Sequence, residues 1–496
     1  MERSFSEIVA FITDYVAAPG QEQEVESVLT QLKVLGRDPS ISNQLTPAIL
    51  DTITRKFVLP QDESPSIVST PREPTPTIVE ALTIIANALV INNSLLKEWH
   101  PHPQLLSYVL QLYNKMDVQE VDLRKAYLFG RVLFLLTFDG LASYTASRSD
   151  LVAKSYEVMD AKMHQFEQLD LNDQMPKLAF IELLKFFFNL VHFHLVEANP
   201  KDSTLRALAS EILVNKIDTP SARNFDISRH IFNGLMCLPG DIWFGRALES
   251  GDCRANVLNA VLMHCRFLTE PATKDLYMNE ASLSPALTCL HLIISYLWDS
   301  GAVINDEIEK LRQLARTQLF PTSEDRRLGI GKATKTSLAS RLVTLTSEPT
   351  LTNANRIAQE IYWQMCGCDA NEVSNIMGFG YGSSYLANTF IAGSDNTNKN
   401  GKSPASKSSI TEVQPDNDHH DHQQQLQQGI NPITGQAMNP EEDSRERERL
   451  RAEWDKLSDT EKQQESEKMY GLFEKLKKNG IFKIQNNPFD SSNFEK

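Results

Sequence analysis

Four segments of this chain carry residue types that could do chemistry, and each falls short on spacing. Gly329-Ile-Gly331-Lys332 approaches a phosphate-binding loop, but the first glycine is missing at the required distance and Ala333 stands where a Ser or Thr would hold magnesium. Gly378-Phe-Gly380-Tyr-Gly382 is not a dinucleotide fingerprint, because Ser383 takes the place of the third glycine and no strand pattern precedes it. Its glycines suit a tight turn between helices. His192 and His194 are two residues apart, and on a helix such residues do not share a face, so core or groove histidines are expected in preference to a metal pair. Asp418-His419-His420-Asp421-His422 can attract zinc or nickel loosely, yet it lies in polar sequence that fixes no coordination geometry. Six cysteines (Cys237, Cys253, Cys265, Cys289, Cys366, Cys368) are scattered without paired spacing and read as reduced thiols of an intracellular protein. No Ser-His-Asp or Cys-His arrangement can be nominated. The expectation is a protein with no cofactor and no metal that acts by binding and not as an enzyme.

Binding chemistry is more legible, above all near the C-terminus. Residues 393–438 form a polar, low-complexity linker, with too few apolar side chains to offset the entropy of ordering a backbone, so disorder is expected there. Beyond it, over 439–496, helical pattern returns. Asn439-Pro440-Glu441-Glu442 reads as a cap, a first-turn proline and an acidic first turn, followed by Leu450, Trp454 and Leu457 at helical spacing. Ser458 and Glu461 have capping-box spacing, and Met469, Leu472, Phe473 and Leu476 fall at i, i+3, i+4 and i+7. Asn479-Gly480 supplies a stop, with Ile481 behind it. An apolar stripe of this kind either folds back on the body or lies in a partner's groove. In the linker, Ser409-Ile-Thr-Glu412 has the Ser-x-x-acidic form of an acidophilic phosphosite, for which Arg326, Arg327, Lys332, Lys335 and Arg341 are the local basic cluster that could receive a phosphate.

The elements that must position these surfaces are helices. Apolar spacing is helical almost everywhere from Ser4 to about Phe390, and the pattern predicts helices at Phe5–Ala17, Glu22–Leu35, Pro47–Phe57, Pro76–Ile91, Pro103–Lys115, Gln119–Thr137, Gln174–Val196, Ser228–Leu238, Ser284–Trp298 and Asp306–Leu319 among others. The run Leu183-Leu184-Lys185-Phe186-Phe187-Phe188-Asn189-Leu190-Val191 is apolar on more than one face, so neighbours must cover it on both sides, as in a stacked α-solenoid. The expected class is all-α: an armadillo/HEAT-like solenoid superhelix over residues 1–392, then the linker, then the amphipathic tail helices. Three segments look like copies of one unit, at Glu80–Leu89, Arg131–Thr137 and Glu182–Leu190, and two of them place an asparagine, Asn87 and Asn189, after the apolar run. Such an Asn either bonds a ligand's backbone in the groove or bridges a neighbouring turn. The length exceeds one ordinary globular core, and the net charge of −15 argues against a general nucleic-acid or anionic-membrane surface. No stretch reaches roughly 18 uninterrupted apolar residues, so no membrane span is expected.

Leu319-Phe-Pro-Thr-Ser-Glu-Asp-Arg-Arg-Leu-Gly329, Ser340-Arg-Leu-Val343, Gly378-Phe-Gly-Tyr-Gly-Ser-Ser-Tyr-Leu386, Asn431-Pro-Ile-Thr-Gly-Gln436 and Glu467-Lys-Met-Tyr-Gly-Leu-Phe-Glu-Lys-Leu476 together resemble the synembryn family, over about Glu80 to Gln485. The resemblance implies an armadillo/HEAT superhelix that is a cytoplasmic guanine-nucleotide exchange factor and folding chaperone for the α subunits of heterotrimeric G proteins. It implies that the solenoid groove holds the α subunit's C-terminal helix, with Asn87, Arg131, Asn189, His192 and Asn233 as this chain's groove candidates. It also implies that the tail, through Leu472, Phe473, Leu476 and Ile481, reaches the nucleotide-binding domain, and that the linker carries activating phosphosites. The chain itself is expected to work as a monomer, recruited at need to the plasma membrane or cell cortex. An armadillo-like scaffold with an autoinhibitory tail and another partner is the alternative.

Overall fold

The computed structural model describes residues 3–381, apart from 17–19, 61–73, 93, 120–121, 139–147, 195–199, 215–221, 249, 271–279, 300–304, 329, 331–336 and 379. The linker, the tail candidates Leu472, Phe473, Leu476 and Ile481, Ser409, Lys332 and Lys335 lie outside the described residues. The chain divides into two compact units, Met1–Phe267 and Leu268–Lys496. Among the described residues the regular structure is helical, and helices pack on helices.

The first unit contains α1 (Phe5–Asp14), α2 (Glu22–Leu35), α3 (Pro39–Ser42), α4 (Pro47–Ile53), α5 (Pro76–Ile91), α6 (Leu95–Glu98), α7 (Pro103–Lys115), α8 (Leu123–Leu136), α9 (Arg148–Phe166), α10 (Gln174–His194), α11 (Asp202–Val214), α12 (Ala222–Leu235) and α13 (Gly251–Leu268). Helix starts are written locally. Thr46 and Thr75 accept from backbone N–H groups two residues inside the prolines that open α4 and α5, and Ser4 and Glu7 close a reciprocal capping box on α1. The helices then form two layers. In one, α2 packs on α5, α5 on α8, α8 on α10 and α10 on α12; in the other, α7 packs on α9 and α9 on α11, each of these also touching the first layer. This is the stacking of an armadillo/HEAT-like α-solenoid. It explains the apolar run of α10: Leu183, Leu184, Phe186, Phe187 and Leu190 are each fully buried because α8, α9 and α12 surround that helix.

Two glycines set how closely the row packs. A Cβ on Gly130 of α8 would lie 3.2 Å from Glu182 Cβ of α10, and one on Gly234 of α12 would lie 2.6 Å from Phe187 Cδ1. The second crossing has no room for any side chain there.

The second unit contains α14 (Glu280–Trp298), α15 (Asp306–Leu319), α16 (Ser323–Leu328), α17 (Leu338–Leu345), α18 (Thr352–Met365) and α19 (Ala370–Met377). α14 packs on α15 and α18, α17 on α15 and α18, and α19 on α18. By length and composition α14 could cross a membrane, but 56% of its apolar window is buried inside the protein, as befits a core helix. Glu280 ties it to α18: its carboxylate accepts from the backbone N–H groups of Asn353 (2.9 Å) and Ala354 (3.3 Å), at a helix start that Leu351 cannot cap.

Several expected bounds shift. α8 begins at Leu123, not Gln119, because Asp122 caps it. α14 begins at Glu280, a turn before the predicted Ser284, with Pro285 inside the helix. The predicted Pro47–Phe57 helix ends as α-helix at Ile53 and continues through a π-helical turn, Thr54–Val58, closed by Leu59 N–H to Thr54 O at 3.0 Å.

Candidate functional site

The side chains of the α5–α8–α10–α12 row that escape burial recur at helical spacing. On α8 and just beyond it, Tyr127, Arg131, Phe134 and Phe138 fall at i, i+4, i+7 and i+11 while the positions between them are core. On α10 the corresponding residues are Lys185, Phe188 and His192, on α5 Asn87 and Val90, and on α12 and just beyond it Asn233 and Cys237. Cross-helix contacts join them into one face. Lys185 Nζ lies over the Phe134 ring at 5.7 Å, and Arg131 stacks on Tyr127 at 5.5 Å and donates to its hydroxyl. His192 stacks on Phe188 at 5.3 Å, and its Nδ1 is 3.9 Å from Cys237 Sγ.

Beneath the two cations sits a buried acid. Glu182 is 4% exposed; its Oε1 accepts from Lys185 Nζ at 2.8 Å and lies 3.8 Å from Arg131, while its Oε2 has no hydrogen-bond partner among the described residues. Two cations over one carboxylate leave a unit of positive charge on the face. Nearby His230 does not add to it at neutral pH, because burial and then the charges of Lys185 and Arg229 pull its pKa down to about 3. Burial pushes the Cys237 thiol up to about 11, so it is uncharged at neutral pH. Where α5 and α8 end, the face opens into an apolar cleft of about 380 Å³ lined by Leu89, Val90, Leu96, Lys97, Phe134, Leu135 and Phe138. Val90 and Phe138 are 41% and 47% exposed.

The sequence-derived candidates divide. Arg131, His192 and Asn233 sit on this face, and Asn87 lies one turn before Val90 on the cleft side of α5. Asn189 does not reach the surface: it is 2% exposed and its amide donates to Phe134 O (2.9 Å) and Thr137 Oγ1 (3.1 Å), closing the C-terminus of α8. Bridging a neighbouring turn is the role it plays. In the basic cluster, Arg326 is 9% exposed and donates to Asn375 O (3.2 Å) and Ile376 O (2.8 Å) at the end of α19, so its charge faces a helix terminus and not solvent. Arg327 is exposed and held by Glu324 at 2.6 Å, and Arg341 is half-buried on α17. Gly378 has φ of +84° where α19 stops, the turn read from its glycines.

Sequence reasoning missed Tyr127, Phe134, Phe138, Lys185, Phe188 and Glu182. The signal was present in the i, i+4, i+7, i+11 spacing of Tyr127 to Phe138, but inside an apolar run it looks like core. A surface of cations, aromatic rings and an apolar cleft is equipped to hold a peptide. A comparison with curated proteins gave no match. The family described as guanine nucleotide exchange factor synembryn matches residues 28–493, nearly the whole chain. The all-helical fold and that span agree with the motifs at Leu319–Gly329 and Gly378–Leu386, and the chain belongs to the synembryn family of guanine nucleotide exchange factors.

Proposed function

We propose that this chain promotes nucleotide exchange on the α subunit of a heterotrimeric G protein and holds incompletely folded α subunits as a chaperone. The family match over residues 28–493 carries this reading. The mechanism is differential binding: a partner that holds the nucleotide-free α subunit more tightly than the GDP-bound one shifts the equilibrium toward release, and no covalent step is required. The α5–α8–α10–α12 face takes the α subunit's C-terminal helix, through Arg131, His192 and the aromatic rings around them. The tail stripe at Leu472, Phe473, Leu476 and Ile481 takes the nucleotide-binding domain. Pulling on one helix while cradling the domain beside it loosens the site between them, and the same two grips shelter a nascent α subunit. The chain acts as a cytoplasmic monomer.

The test is a fluorescence time course of GDP release from a purified α subunit. Acceleration at micromolar protein, lost in an Arg131→Gln/His192→Ala/Phe188→Ala variant that melts at the wild-type temperature, is the expected result. Release at the intrinsic rate with wild-type protein would exclude exchange activity and favour the scaffold alternative.

A further inference from the structure

The face on α8 and α10 carries two recognition elements at a fixed separation. At one end Arg131 and Lys185 are oriented by the buried Glu182, which leaves one positive charge uncompensated on a chain whose net charge is −15. At the other end Phe134 and Phe138, with rings 6.4 Å apart, form a wall of the apolar cleft, and Lys97 stands at its rim. Phe138 lies seven residues after Arg131 and two past the end of α8, about 10 Å along the axis at the helical rise of 1.5 Å per residue. Phe134 joins the two elements, since it lines the cleft and also lies under Lys185.

We infer that this face reads a partner peptide through a two-point code: a carboxylate against Arg131 and Lys185 and a large apolar side chain in the Phe134–Phe138 cleft, about two helical turns apart. The occupant is an amphipathic helix with an acid and an apolar residue at i and i+7, running along α8. Charge complementarity selects the acid, because a basic group would meet two cations, while an acid completes the charge balance that Glu182 leaves open. The cleft selects the second residue by area, as water leaves both Phe138 and the ligand side chain. Glu182 is a positioning residue: it is buried where α10 packs on α8 at Gly130, and its carboxylate lies within reach of both cations. The inference rests on the reading of this face as the groove for the G protein's helix, and it states what that groove recognises.

The experiment is selection of phage-displayed 12-residue random peptides on the immobilised full-length chain, followed by fluorescence anisotropy with one selected peptide. The wild-type consensus should pair an acid with Leu, Ile, Met or Phe seven positions away. Arg131→Gln with Glu182→Gln and Lys185→Gln neutralises the cluster without leaving a buried charge unpaired. That variant should lose the acid from its consensus and bind the wild-type peptide about tenfold more weakly, with the salt dependence gone, while keeping the apolar preference. Phe138→Ser should do the converse. Circular dichroism melting at the wild-type temperature verifies both folds. A consensus without an acid, one unchanged in the neutralised variant, or no selected peptide at all would overturn the inference. The selection contains no nucleotide and no G protein, so its failure leaves the exchange reading standing, and a failure of exchange leaves the peptide code standing.

Discussion

Lys162 shows how one residue can be committed to the fold by its surroundings. It is fully buried on α9, where its ammonium donates to the carbonyls of Asn114 and Met116 and to Gln165 Oε1 (3.0 Å) and lies 5.4 Å from the Tyr113 ring. It closes the C-terminus of α7 from another helix. Burial pulls its pKa down to about 8 from the ordinary 10.5, against the attraction of Asp117. Between those two values the unfolded chain binds a proton that the folded chain does not, so stability rises as pH climbs from about 8 to 10.5 and is flat below. Thermal melts at pH 7.5 and 10 should show wild type gaining on Lys162→Met with pH, and parallel behaviour of the two proteins would refute this account. The same residue scale limits what a sequence can say of a site. Asn87 and Asn189 follow similar apolar runs, yet one is half-buried on the cleft side of α5 and the other spans to Phe134 O on another helix. Period marks the helix, but only the neighbour's position decides which way an amide turns. Arg131 and Glu182 are 51 residues apart in sequence and no local pattern pairs them.

At the scale of the element, many helix bounds were legible and the crossings between helices were not. Glu22–Leu35, Pro76–Ile91, Pro103–Lys115 and Asp306–Leu319 occur with the predicted bounds, the last three because a capping residue precedes a first-turn proline or acidic turn. The four-residue helices α3 and α6 and the π-helical turns Thr54–Val58 and Asp241–Arg246 have too few residues to show a period. Two predictions belong here. Gly234→Ala puts a methyl group into the edge of the buried Phe187 ring, and overpacking of about 1–3 kcal/mol should exceed the gain of up to about 1 kcal/mol in helix propensity. Chemical denaturation should show a net loss, and unchanged stability would mean that the α10–α12 spacing is soft. Glu280→Ala leaves the start of α18 uncapped, 73 residues away from the lost carboxylate, and should cost about 0.5–2 kcal/mol. Amide hydrogen exchange in the first turn of α18 is the sensitive measurement, with unaltered protection as the contrary result.

For the whole molecule, the decisive question is how the work divides between body and tail. Truncation at Gly435 deletes both segments read as tail helices but leaves the α5–α8–α10–α12 face. The shortened protein should stay folded and keep peptide binding while losing most acceleration of GDP release. Phe473→Ala with Leu476→Ala should weaken the second grip by roughly tenfold or more, from burial of about 1.5–3 kcal/mol per side chain. Nucleotide-release time courses at matched concentration check both, and undiminished exchange after truncation would put the activity in the body alone. The layered packing of α10 also has a consequence for how the chain is made. A helix enclosed by α8, α9 and α12 is synthesised before its last neighbour: α12 ends roughly 40 residues after α10. At about 5–20 residues per second, the Phe187 side of α10 waits some seconds for Gly234 to arrive. During that interval a synembryn exposes on the ribosome an unfinished apolar surface of the kind a chaperone covers, and so is itself a candidate client of the holding machinery of the cell.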